Sequence, residues 1–198
     1  MNSIALDIET ENPGGDPFIN STRIISVQIG DDKSQKVFYA DSKESEFKLD
    51  KVKSEVDALI DKDYLFTGYY LKWFDVPLLK KFLDVEIPPK HYLDLIDPVD
   101  RLPYAMRRKF QSKRLEHVCE TLGIKCDHKK KMWARKDTLE RETQRKIEVG
   151  QVIMHAYNEF VQMNGDKKTL FYEYAIGDVI SEYQLFGKVT SILNKVDD

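Results

Sequence analysis

Two carboxylates, Asp7 and Glu9, stand two residues apart in Leu6-Asp7-Ile8-Glu9-Thr10, at the end of an apolar run that begins at Ile4. On a β-strand this spacing projects both side chains from one face. Charges placed there are costly unless they are paired or bind a cation. A third acid, Asp75, opens Asp75-Val76-Pro77, which reads as the start of a helix after a strand. Asp is a good helix cap and Pro is tolerated in the first turn. The C-terminal edge of a sheet, where this helix would begin, is where ligands gather. The fourth acid, Asp178, follows Tyr174 by four residues, so on a helix the phenol and the carboxylate share a face about one turn apart. Each feature has a plain reading alone, as a strand end or as a surface acid beside a half-buried ring. Four acids in this order, each in a suitable element, point instead to a cation-binding site.

The elements that must position these acids follow from periodicity. Ile4 to Ile8, Arg23 to Ile29 and Lys36 to Ala40 read as three strands, with the loop Asn12-Pro13-Gly14-Gly15 after the first. The second and third are close enough to pair antiparallel. A helix follows over about Leu49 to Ile60, then a strand over Tyr64 to Tyr70, the helix opened by Asp75, and a fifth strand over Tyr92 to Ile96. This alternation predicts an α/β fold with a mixed five-stranded sheet flanked by helices. Beyond Arg101 the pattern is helical: Leu115 to Leu122, most of Lys129 to Phe160, and a last helix from about Leu170 to Leu193. No repeat or linker divides the chain, so residues 1–198 read as a single domain.

The composition is that of a globular protein, with 41% hydrophobic and 11% aromatic residues. No apolar run approaches the roughly 18 residues that span a bilayer, and the N-terminus lacks the pattern of a signal peptide. No membrane partner and a cytoplasmic location are the resulting expectations. Two cysteines, Cys119 and Cys126, are too few for a disulfide framework. They lie near His117 and His128, but Cys119 falls on the apolar face of its helix with His117 nearly opposite. Zinc is therefore the weaker reading against buried thiols. The net charge of −3 hides an asymmetry: residues 103–148 carry 14 Lys and Arg against 7 Asp and Glu. Such a segment suits a polyanion or is simply a solvated helical face.

The wording around the four acids resembles the DEDD exonuclease superfamily, which has a ribonuclease H-like fold, and specifically its branch with tyrosine in the third motif. Leu6 to Thr10 resembles the first motif, Gly68 to Leu79 the second, and Tyr174 with Asp178 the third. The closest likeness is to the proofreading domain of family B DNA polymerases, carried also by Arg23 to Ile29, Leu93 to Leu95 and Leu115 to Gly123. The resemblance implies a 3′-to-5′ exonuclease using two divalent cations, Mg²⁺ or Mn²⁺, whose hard character suits oxygen ligands. It further implies that Asp7 bridges both ions, that Glu9 and Asp178 complete the shell of one, and that Asp75 acts through metal-bound water. Tyr174 would orient the attacking water, since a phenol with a pKa near 10 is a poor base at neutral pH. Thr10 would lie near the terminal nucleotide, and Phe74, within the second motif, would bind the substrate.

The second motif of this family usually carries Asn five positions before its Asp, where this chain has Tyr70. Tyr70, with Tyr69 and Trp73, either stacks on a base or packs around the fourth strand. The basic run Lys129, Lys130, Lys131, Arg135 and Lys136 offers phosphate contacts upstream of the cleaved end, and Trp133 within it either stacks on a base or anchors the helix. Residues of about 125–169 are longer and more helical than the relatives' connection, and read as a basic helical insertion. The expected partner is nucleic acid, with a DNA 3′ end favoured. An RNA-trimming enzyme of the same fold remains open, as does a non-catalytic nucleic-acid-binding or polymerase accessory module. With Asp7 so near the first residue and no polymerase or helicase motif following, the chain reads as a free-standing nuclease.

Overall fold

The computed structural model describes residues 2–11 and 23–197. The loop expected at Asn12 to Gly15 lies outside them. Five strands form one sheet, in the order β3-β2-β1-β4-β5. They are β1 (Asn2–Glu11), β2 (Arg23–Gly30), β3 (Gln35–Tyr39), β4 (Tyr64–Gly68) and β5 (Tyr92–Asp94). β1 pairs antiparallel with β2 and β2 with β3, whereas β1–β4 and β4–β5 are parallel. The sheet is mixed, as its sequence pattern implied. β5 is shorter than expected, because the chain turns directly into a helix at Ile96.

The helices are α1 (Val52–Asp61), α2 (Asp75–Leu83), α3 (Ile96–Asp100), α4 (Tyr104–Arg107), α5 (Leu115–Thr121), α6 (Asp127–Thr143), α7 (Val149–Gln162) and α8 (Leu170–Asp197). None in the described residues is long and apolar enough to cross a membrane. The span expected to be helical from Lys129 to Phe160 is two helices. Gln144 breaks it in a left-handed conformation (φ 54°), and Glu148 restarts it through a capping box with Gln151.

Alternation along β1 divides the sheet into unlike faces. Leu6 and Ile8 join Val27, Ile29 and Phe66 in a buried cluster with Val52 and Val56 of α1 and Leu78 and Leu79 of α2. Burying each such leucine contributes about 1.5–3 kcal/mol. The opposite face is polar although enclosed: Asp7 stands across from Gln28, Glu9 from Ser26, and Ala5 beside Thr67 of β4. A β-bulge shifts the register between Glu9 and Thr10 and leaves Ile25 as the extra residue of β2. Ile25 thereby turns toward α7 and α8, joining Phe160, Phe171 and Ala175. α8 covers this face, flanked by the α6–α7 hairpin at one end and by α3 and α5 at the other. Such a polar layer is expensive in an interior and needs a reason.

Candidate metal centre

Each acid reaches the centre by a separate route. Asp7 and Glu9 project from the polar face of β1 toward α8. Asp75 is the first residue of α2, but it does not cap that helix as its sequence suggested. Its Oδ1 instead accepts a 3.1 Å hydrogen bond from the Ile8 backbone N–H, which draws the start of α2 onto β1. Asp178 comes from the middle of α8, one turn past Tyr174, and both are buried.

Ligand oxygens of Asp7, Glu9 and Asp178 lie within 4.8 Å of one another, the one such group among the described residues. Asp75 stands beside this trio, close enough to feel the charge of Asp7. Asp7 and Glu9 are half-buried, yet Asp7 Oδ2 is enclosed with no hydrogen-bond partner. An orphaned carboxylate oxygen among convergent hard donors fits a divalent cation.

Two residues from the first turn of α6 close the other side. Lys129 Nζ lies 2.6 Å from Asp178 Oδ1 and donates a 3.0 Å hydrogen bond to the Tyr174 hydroxyl. His128 Nε2 lies 3.1 Å from Asp178 Oδ1. His128 was singled out in the sequence only as a zinc candidate, and its spacing from Asp178 gives no local signal. Its place depends on Gly177, where a Cβ would overlap the imidazole. Alanine favours a helix interior by about 1 kcal/mol over glycine. Gly177→Ala is nevertheless expected to destabilise the protein by about 1–3 kcal/mol, because the ring must be displaced. Urea unfolding measures this, and a gain in stability would show that the ring is not held.

Burial, together with the charge of Asp178, raises Asp7 from the ordinary carboxylate range to about 8. Burial and the neighbouring acids likewise push Glu9 and Asp75 well upward. For Asp178 burial acts in the same direction, but Lys129 and His128 outweigh it and hold the carboxylate below its usual value. Tyr174 is raised well above an ordinary phenol by burial and by Asp178, so it stays protonated at neutral pH.

These shifts fix a pH trend for the metal-free protein. Above about pH 4 the unfolded chain releases the proton that folded Asp7 retains up to about pH 8, and Glu9, Asp75 and the buried Glu182 act in the same sense, so stability falls as pH rises. Asp178 contributes in the opposite sense, with stability present above its unfolded value near pH 4 and lost on acidification. Thermal melting in chelator between about pH 5 and 8 checks the trend, and a flat profile would contradict it.

The remaining residues singled out in the sequence divide. Tyr69 packs, donating its hydroxyl to Lys113 O, whereas Tyr70 (47% exposed) and Trp73 (67%) stay open. With Asp7, Ile8, Phe74 and Asp75, these three aromatics line a cavity of about 360 Å³. Tyr70 holds a left-handed conformation (φ 66°), which Asn accepts more readily, so Tyr carries strain of about 1–3 kcal/mol beside the site. Thr10 is partly buried just past the bulge. The basic run is mostly paired on the surface: Lys130 with Glu120, Lys131 with Glu173, Arg135 with Glu159. Exposed pairs are worth about 0–1 kcal/mol, so a phosphate can displace them. Trp133 is partly exposed beside Arg114, Lys129 and Lys130 around a cavity of about 280 Å³. Cys119 and Cys126 are buried free thiols, and His117 sits 2.7 Å from the Ser112 hydroxyl, so no zinc group forms there among the described residues.

This architecture has known counterparts. The family B DNA polymerase from the hyperthermophilic archaeon Pyrobaculum calidifontis is similar, with a TM-score of 0.58 and 20% identity over 95% of this chain. The likeness is one of fold, and the chain spans 24% of that polymerase. No curated protein sequence matches it. A family model described as the RNase_H superfamily matches residues 4–190, nearly the whole length. The mixed sheet, its strand order and that match agree: the chain belongs to the RNase_H superfamily.

Proposed function

We propose that this protein is a metal-dependent 3′-to-5′ exonuclease acting on DNA, with single strands preferred. The observation that carries the reading is the convergence of Asp7, Glu9 and Asp178 oxygens within 4.8 Å beside a cavity lined by Tyr70, Trp73 and Phe74. Asp7, Glu9 and Asp178, with Asp75 alongside, would hold Mg²⁺ or Mn²⁺, which when bound supplies an activated water and neutralises charge on the leaving oxygen. The aromatic cavity receives the terminal base, and Tyr70 and Trp73 offer faces on which any base can stack. The neutral Tyr174 hydroxyl, fixed by Lys129, orients the water whose oxygen adds to phosphorus. The bond from phosphorus to the 3′ oxygen of the preceding nucleotide breaks, that oxygen takes a proton, and a nucleoside 5′-monophosphate leaves. Lys129 keeps Asp178 ionised throughout, and the weakly paired cations along α6 take the upstream phosphates.

The test uses 5′-labelled single-stranded DNA, duplex DNA and RNA, incubated with Mg²⁺ or Mn²⁺. A ladder receding from the 3′ end, fastest on single-stranded DNA, is the expected result. Internal cuts would overturn the polarity, and a ladder on RNA alone would reassign the substrate.

A further inference from the structure

Glu182 is a fifth buried acid, one turn beyond Asp178 on α8, that the proposed chemistry does not use. At 2% exposed it is among the most enclosed charged residues of those described. One oxygen, Oε1, accepts a 2.9 Å hydrogen bond from the Tyr69 backbone N–H, at the head of the loop that leads to Asp75. The other, Oε2, is enclosed and has no hydrogen-bond partner. The charges that act on Glu182 are chiefly those of Asp7 and Asp75, followed by Asp178. A glutamine would hold the Tyr69 N–H equally well through its carbonyl. The loop therefore does not require the charge, and the charge is costly to bury.

Counting charge suggests why an acid stands there. Asp7, Glu9, Asp75 and Asp178 with Lys129 sum to −3 when ionised, one short of balancing two divalent cations. Burial, then the charges of Asp7 and Asp75, push the Glu182 carboxyl well upward in the metal-free protein; ionised beside bound cations, it would supply the missing negative charge before any phosphate arrives.

We propose that Glu182 is a positioning residue of the metal centre, whose charge draws divalent cations to Asp7 and Asp75 in the absence of nucleic acid while its other oxygen fixes the Tyr69 loop. This rests on the reading of the site as a metal centre. The experiment is a Mn²⁺ titration of the whole chain without nucleic acid, following free Mn²⁺ by electron paramagnetic resonance, with thermal melting in chelator alongside. Glu182→Gln is expected to weaken Mn²⁺ binding by roughly tenfold or more. It should also raise the melting temperature of the metal-free protein at neutral pH, since the cost of a carboxyl pushed upward by burial and by Asp7 and Asp75 is removed. Glu182→Asp, which keeps the charge but shortens the reach to Tyr69, is expected to melt lower and to hold Mn²⁺ within about threefold of wild type. Equal Mn²⁺ affinity in wild type and E182Q would overturn the proposal while leaving the metal centre standing. So would E182D losing affinity as E182Q does, because the role would then be structural. Wild-type protein that binds no Mn²⁺ would overturn the metal centre itself, and this inference with it.

Discussion

Replacing Asp7 with asparagine is expected to remove nuclease activity, a fall on the order of 10³-fold or more, while leaving the chain folded. A bound cation contributes several kcal/mol to transition-state stabilisation, and each 1.4 kcal/mol is a factor of ten. Asp7 carries an enclosed, unpartnered oxygen, and its charge reaches Glu9, Asp75 and Glu182. The amide keeps the volume and ends that repulsion. In chelator at about pH 8, the variant is therefore expected to melt above wild type. Activity assays on 3′ ends, paired with melting curves, check both halves. Metal-dependent cleavage at the wild-type rate would remove Asp7 from the mechanism.

Lys129→Met has the opposite signature. Lys129 is held in its charged form by Asp178 and Tyr174 against the pull of burial. Removing one member of a buried ion pair costs about 3–5 kcal/mol, because the partner charge is left uncompensated. Here the partner also faces other acids, so metal-free Lys129→Met should be among the least stable single variants. Divalent cations supply the charge that the lysine gave, and saturating Mn²⁺ is expected to recover part of the loss by binding only the folded state. Urea unfolding with and without Mn²⁺ makes the comparison. A cost that metal leaves unchanged would mean that Lys129 and the cations do not share one electrostatic site.

The residues readable in the sequence are those whose signal is local. Asp7 and Glu9 follow from a two-residue period, and Tyr174 with Asp178 from a four-residue one. The mixed sheet is legible because short spacers suit β1–β2–β3 and helical spacers suit the parallel pairs. Asp75 is legible as an acid at a helix start but not in its action, since its acceptor role depends on Ile8, 67 residues earlier. His128 and Glu182 escape for the same reason. Their partners lie 50 and 113 residues away, and neither spacing nor composition encodes contacts across that distance. The basic run misleads in degree: its charge is real, but Glu120, Glu159 and Glu173 meet much of it from other helices.

The α6–α7 hairpin offers a practical handle. Its first turn delivers His128 and Lys129 to the acids, whereas residues 141–146 at its far end are exposed and include the left-handed Gln144. Fifteen residues of rise separate Lys129 from that tip, about 22 Å along the helix. A cysteine placed there for a fluorophore, or a short inserted peptide, meets solvent and leaves the buried acids untouched. The tip is thus a place from which to test whether a strand arrives along α6, as proposed, with a label distant enough not to alter what it reports.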